Sequence, residues 1–184
     1  MSVAKLPSRT AGLGGILTPQ VLLVVAGVAV ALSILVGPPL ARALNGLGGA
    51  LWVAAAIWML FSLWGERRKL PVLGVALAGA LLMAVVVRPG TYPEAILGFL
   101  VAGAAVAFAA RGGAHWGLLA PALYFPLHIV IAIGRVVASG GARSVRTDPP
   151  PTEAFVPLSM ILAAAVGGLL VARWFAAREA SGRR

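Results

Sequence analysis

The sequence contains no cysteine, which excludes disulfide scaffolds, thiolate metal centres, iron–sulfur clusters and cysteine nucleophiles. Acidic side chains are nearly as scarce, with five Asp and Glu against fifteen Lys and Arg. None of the five forms a close pair or sits in the middle of an apolar run, which leaves no general acid and base couple and no carboxylate set for a divalent cation. Proton pumping draws on carboxylates at membrane depth, so it lacks parts as well. His115 and His128 are the only histidines and flank half a helix, an arrangement that cannot clamp a haem. No cofactor and no metal are expected, and enzyme chemistry has little to work with. Charge of either sign is also thin: 11% of the residues are charged, against roughly 25% in soluble domains.

What the chain has instead is apolar length. Hydrophobic residues make up 60% of its 184 positions, and they fall into blocks close to the roughly 20 residues that cross a hydrocarbon core. The expected fold is all-α, a polytopic integral membrane protein with a compact bundle of six transmembrane helices. Residues 1–15 read as a flexible basic tail and residues 16–177 as the membrane domain. Its spans are placed at about 19–36, 50–64, 70–87, 93–110, 116–137 and 153–175, and residues 178–184 form a second basic tail. Thr18-Pro19 supplies a cap and a first-turn proline for the first span, and Gly37-Pro38-Pro39 is read as its stop. The stretch from Leu40 to Gly49 is read as an interfacial turn. On that boundary Trp52 and Trp64 fall near opposite membrane surfaces, as aromatic belts do.

A net charge of +10 on a soluble protein would suggest nucleic acid, but the basic residues here lie between and beyond the apolar blocks and form no stripe with interleaved aromatics. Nucleic acid is therefore not an expected partner. The lipid bilayer is, with another membrane subunit or a homo-oligomer as the further possibility. With the N-terminus inside, Lys5, Arg9, Arg67, Arg68, Lys69, Arg111, Arg173, Arg178, Arg183 and Arg184 fall on the cytoplasmic side. Arg42, Arg88, Arg135, Arg143 and Arg146 fall opposite. Ten against five places both termini in the cytoplasm of a cell inner (plasma) membrane. The first span also has signal-peptide features, with Lys5 and Arg9 ahead of it and Ala41-Arg42-Ala43 after it. Its apolar core is long for such a segment and Arg42 interrupts the cleavage pattern, so it is expected to be retained.

Small residues recur at four-residue spacing: Gly27 and Ala31; Ala76, Ala80 and Ala84; Gly103 and Ala107; Ala164, Gly168 and Ala172. Such stripes let helix backbones approach in lipid. The polar cluster placed inside a span is Tyr124, His128 and Arg135, which share one helix face because spacings of four and seven return close to the same direction. Pro126 frees a carbonyl in the same helix. Ionisable groups at this depth usually face protein or a water-filled cavity, which makes the three ligand-binding candidates. The plainer alternative is a hydrogen-bonded histidine and an arginine that reaches the headgroups. Asn45 and Glu94 are further candidates, placed to face the same outer vestibule. His115 and Trp116 are read as interfacial anchors.

The run from Leu118 to Gly140, with Pro121, Pro126, Leu127-His128 and Gly134, resembles the final membrane helices of some exopolysaccharide glycosyltransferases. The resemblance spans about an eighth of the chain, and the aspartate motifs of those enzymes' catalytic domains do not occur in this sequence. It implies a membrane component of a lipid-linked sugar pathway. In length and number of spans alone the chain is also similar to the small substrate-binding subunits of vitamin transporters. The leading expectation is a non-catalytic membrane subunit or scaffold; the alternative is a small-solute or lipid transport component with a site on the fifth span.

Overall fold

The computed structural model describes residues 18–67, 69–86, 92–138 and 155–182, apart from the side chains of Val86 and Arg135. The described residues form six α-helices and no strand: α1 (Pro19–Leu32), α2 (Pro38–Trp64), α3 (Lys69–Val86), α4 (Tyr92–Ala109), α5 (Leu119–Ala138) and α6 (Val156–Ser181). Short 3-10 turns extend α1 over Ser33–Leu35 and lead into α5 over Ala114–Leu118. Four segments are long and apolar enough to cross a membrane, namely α2, α4, α5 with its lead-in turn, and α6. The apolar stretches Pro19–Leu35 and Lys69–Val85 are shorter, at the lower limit for a span. Large apolar side chains such as Phe61, Leu82, Leu97, Val101 and Leu170 point outward, as a bundle solvated by lipid requires.

Successive helices run in opposite directions. Thr18, Ser62, Glu66 and His115 meet at one end, called proximal here, whereas Tyr92, Phe155 and Ser159 meet at the other, the distal end. α4 and α6 consequently run parallel, with Phe108 against Trp174 and Phe175 near their proximal ends. These two helices make the closest contact of the bundle. A Cβ added at Gly103 would overlap the backbone of Ala164, and one added at Gly167 would overlap the carbonyl of Leu100. Gly117, in the turn before α5, seats against the same seam, 2.9 Å from the Gly103 carbonyl when given a Cβ. Backbone contact of this kind supplies dispersion that lipid tails cannot match. The stripes Ala76-Ala80-Ala84 and Gly103-Ala107 are buried, as their spacing implies.

Two boundaries differ from expectation. α2 begins at Pro38, so the segment expected to be an interfacial turn is helical. Prolines in a first turn need no N–H partner and start helices well. Of the glycines that follow, Gly48 lets α1 come close: a Cβ there would lie 2.7 Å from Val30 Cγ2 and 3.0 Å from the Ala26 carbonyl of α1. This moves Trp52 from a first turn to the middle of a 27-residue helix, where it is buried in the core and not at a membrane surface. α6 also runs on to Ser181, past the expected end at Phe175. There Arg178 lies 4.3 Å over the Trp174 ring, a favourable place for a cation at a helix C-terminus.

Candidate functional site

Pro121 and Pro126 shape α5 differently. Pro121 falls in the first turn, where its missing N–H costs nothing, whereas Pro126 lies inside the helix and deprives the Ala122 carbonyl of its usual donor. Around this weakened turn the bundle places aromatics. The buried Trp52 indole N–H donates to the Pro121 carbonyl at 3.0 Å, and its ring lies 5.5 Å from Phe125. Tyr124 sits edge-on to the fully buried Phe99 of α4 at 5.2 Å. The His128 ring follows one turn later, 5.5 Å from Tyr124.

The sequence candidates separate on this frame. Tyr124 and His128 are in contact, Tyr124 half-buried and His128 on the exposed side of α5. Phe125 packs on Gly49 of α2, and the two helices run oppositely, so Asn45 lies one turn further toward the distal end, level with His128. Glu94, in the first turn of α4, stands about as far beyond Phe99. Both are exposed. The Arg135 backbone continues α5, and its side chain lies outside the described residues.

At the proximal end the structure holds two neighbouring cavities that share Glu66 and Trp116. The larger, about 440 Å³, has Leu63, Val72, Ala110 and Trp116 as an apolar lining and Glu66, Arg67 and Arg111 as its charged groups. The smaller, about 280 Å³, is bounded by Thr18, Gln20, Ser62, Glu66 and His115. His115 and Glu66 lie within electrostatic reach of one another. Trp116 is buried between the cavities, so it serves the core and not only as a surface anchor.

Arg111 owes its position to an unusual helix end. The Gly112 N–H donates to the Ala107 carbonyl and the Arg111 N–H to that of Phe108, both at 2.9 Å, the double bond of a Schellman cap. That cap puts its C′ residue in the left-handed region, and here the residue is Arg111, φ 51°, not a glycine. Gly112 follows with φ 89° and abuts Phe175, which fixes the register. Sequence reasoning sees in Arg111-Gly112-Gly113 only a turn. The signal, an arginine one place ahead of two glycines, acquires meaning once the cap register is known.

Comparison with protein-family models, with curated proteins and with solved structures finds no match. Among the described residues no group of three or more His, Cys, Asp or Glu is placed to hold a metal ion.

Proposed function

We propose that the chain is a non-catalytic, multi-pass subunit or scaffold of the cell inner membrane, with six helices crossing the bilayer and both termini cytoplasmic. The observation that carries this reading is the interior. The α4–α6 seam closes backbone on backbone, and beside the Trp52 indole N–H the buried polar side chain among the described residues is Ser33, its hydroxyl donating to the Val30 carbonyl at 2.6 Å. The two cavities described above lie at the proximal end, and neither Tyr124 nor His128 lines them. α1 packs along the longer α2, and α3 packs against α4 and α5, which supports their crossing too. Arg67, Lys69, Arg111, Arg173 and Arg178 gather at the proximal end, which favours a cytoplasmic position for it.

The absence of cysteine makes the test direct. Single cysteines at Phe99 and Ala122, in the bundle centre, should resist a small aqueous maleimide in intact membranes, whereas one at Ser62 should react. Labelling at both central positions would replace the scaffold with a water-filled pathway. A transport component with a site on α5 is the second reading, favoured by the Tyr124–His128 contact and by the common level of Asn45, Glu94 and His128. It expects His128→Leu to abolish the cellular phenotype at unchanged expression and Arg135→Lys to weaken it, since lysine keeps the charge but not the planar fork.

A further inference from the structure

We propose that the larger proximal cavity binds the phosphodiester headgroup of a net-anionic phospholipid. The inference rests on the chain being a membrane bundle but not on which end is cytoplasmic.

Three observations converge. The cavity repeats the polarity of such a lipid, with Leu63, Val72, Ala110 and Trp116 providing apolar wall and Arg67 and Arg111 providing guanidinium groups. It lies where the helices leave the hydrocarbon, a level marked by Lys69 Nζ 4.3 Å over the Trp64 ring and by Arg178 over Trp174. Its volume falls within the range of small-molecule sites, about 300–1,000 Å³.

The second observation is Arg111 itself. A glycine would hold the left-handed cap position without strain, yet the position carries a long cationic side chain that borders the cavity. A residue held in a disfavoured backbone region, at the edge of a cleft, is where function is to be sought.

The third is charge balance. Among the described lining residues, two arginines and Glu66 leave a single net positive charge, which suits a phosphodiester. Guanidinium groups are suited to phosphate oxygens because they offer paired N–H donors. Choline on the same phosphate would bring a cation against the arginines, so a headgroup without an ammonium should be preferred.

The test uses the purified full chain in an uncharged detergent, offered phosphatidylglycerol or phosphatidylcholine with identical acyl chains, and reads retained lipid by native mass spectrometry. One phosphatidylglycerol should be retained in preference. Arg111→Gly should reduce the preference roughly tenfold, and Arg67→Gln with Arg111→Gly should remove it. Arg111→Gly should at the same time raise the thermal midpoint, because glycine relieves the left-handed strain, so weaker binding cannot be ascribed to misfolding. Arg178→Gln, a cation at the same end outside the cavity, should leave the preference intact. Equal retention of the two lipids, or an unchanged preference in the double variant, overturns the site. Displacement of the lipid by an equal concentration of glycerol phosphate or of an acidic peptide overturns the lipid in favour of that ligand. A failed bundle would show instead in the maleimide pattern at Phe99 and Ala122.

Discussion

Replacing Gly103 with alanine adds one methyl group where α4 and α6 touch backbone to backbone. The new Cβ would stand 2.6 Å from the Ala164 Cα and 2.8 Å from its carbonyl carbon, and it would overlap the carbonyl oxygen. None of these is a flexible side-chain end. Ordinary carbon contact begins near 3.5 Å, so the helices must part by about 1 Å. A gap of that size forfeits about a quarter to a half of each contact well along the seam, including that of Gly167 with Leu100. The expected loss is about 2–3 kcal/mol, in the range of core overpacking. Gly74→Ala in α3 is the matched control: nothing lies within 4 Å of its Cβ position, and a helical Gly→Ala change there should be neutral or stabilise by up to about 1 kcal/mol. The assay is unfolding in mixed micelles at increasing denaturing detergent, followed by tryptophan fluorescence. Gly103→Ala with a midpoint equal to that of Gly74→Ala would refute the reasoning. A double variant with Gly167→Ala should lose less than the sum of the two single changes, since both part the same helices.

A reporter active only in the cytoplasm should work when fused after Lys69 or Arg184 and stay silent after Val145; activity at Val145 with silence at Arg184 would invert the bundle. Trp52→Phe keeps a ring beside Phe125 but removes the donor to the Pro121 carbonyl, and should cost about 1 kcal/mol by the same unfolding assay. No change in midpoint would mean that the carbonyl finds another donor. Intact-mass measurement of purified protein should show a chain that retains Pro19 to Val36, and loss of the first 43 residues would establish cleavage instead.

Helix existence was legible because lipid imposes length and polarity on each segment independently of its neighbours. α3 and α4 fall within one residue of the boundaries expected from apolar runs and first-turn residues. The boundary of α2 was not, since Gly37-Pro38-Pro39 can end one helix or begin another. The choice depends on whether a neighbour comes close enough to accept Gly48 without a side chain. With the boundary at Ala50, Trp52 falls in a first turn and not in the core. The small-residue stripes announced close approach but not the partner: Gly103 and Ala164 are far apart in sequence and meet because the chain folds back twice between them. The Tyr124–His128 pair followed from spacing alone. The proximal cavity did not, because Glu66, Arg67, Arg111 and Trp116 come from separate chain segments, each of which read locally as a stop, a turn or an anchor.

The parallel pairing of α4 with α6 also sets an order of assembly. α4 is made with its Gly103 face bare, and the helix that covers it is separated from it by α5 and is the last of the six described helices to be made. Until α6 arrives, lipid tails must line a groove cut for a peptide backbone, and the lead-in turn of α5 has only half of its seat. α6 therefore acts as a keystone, since it touches α1, α4 and that turn at once and closes contacts that the earlier helices can only hold open. A ribosome that stalls before Val156 would leave the Gly103 face of α4 and the lead-in turn of α5 without the helix that covers them both.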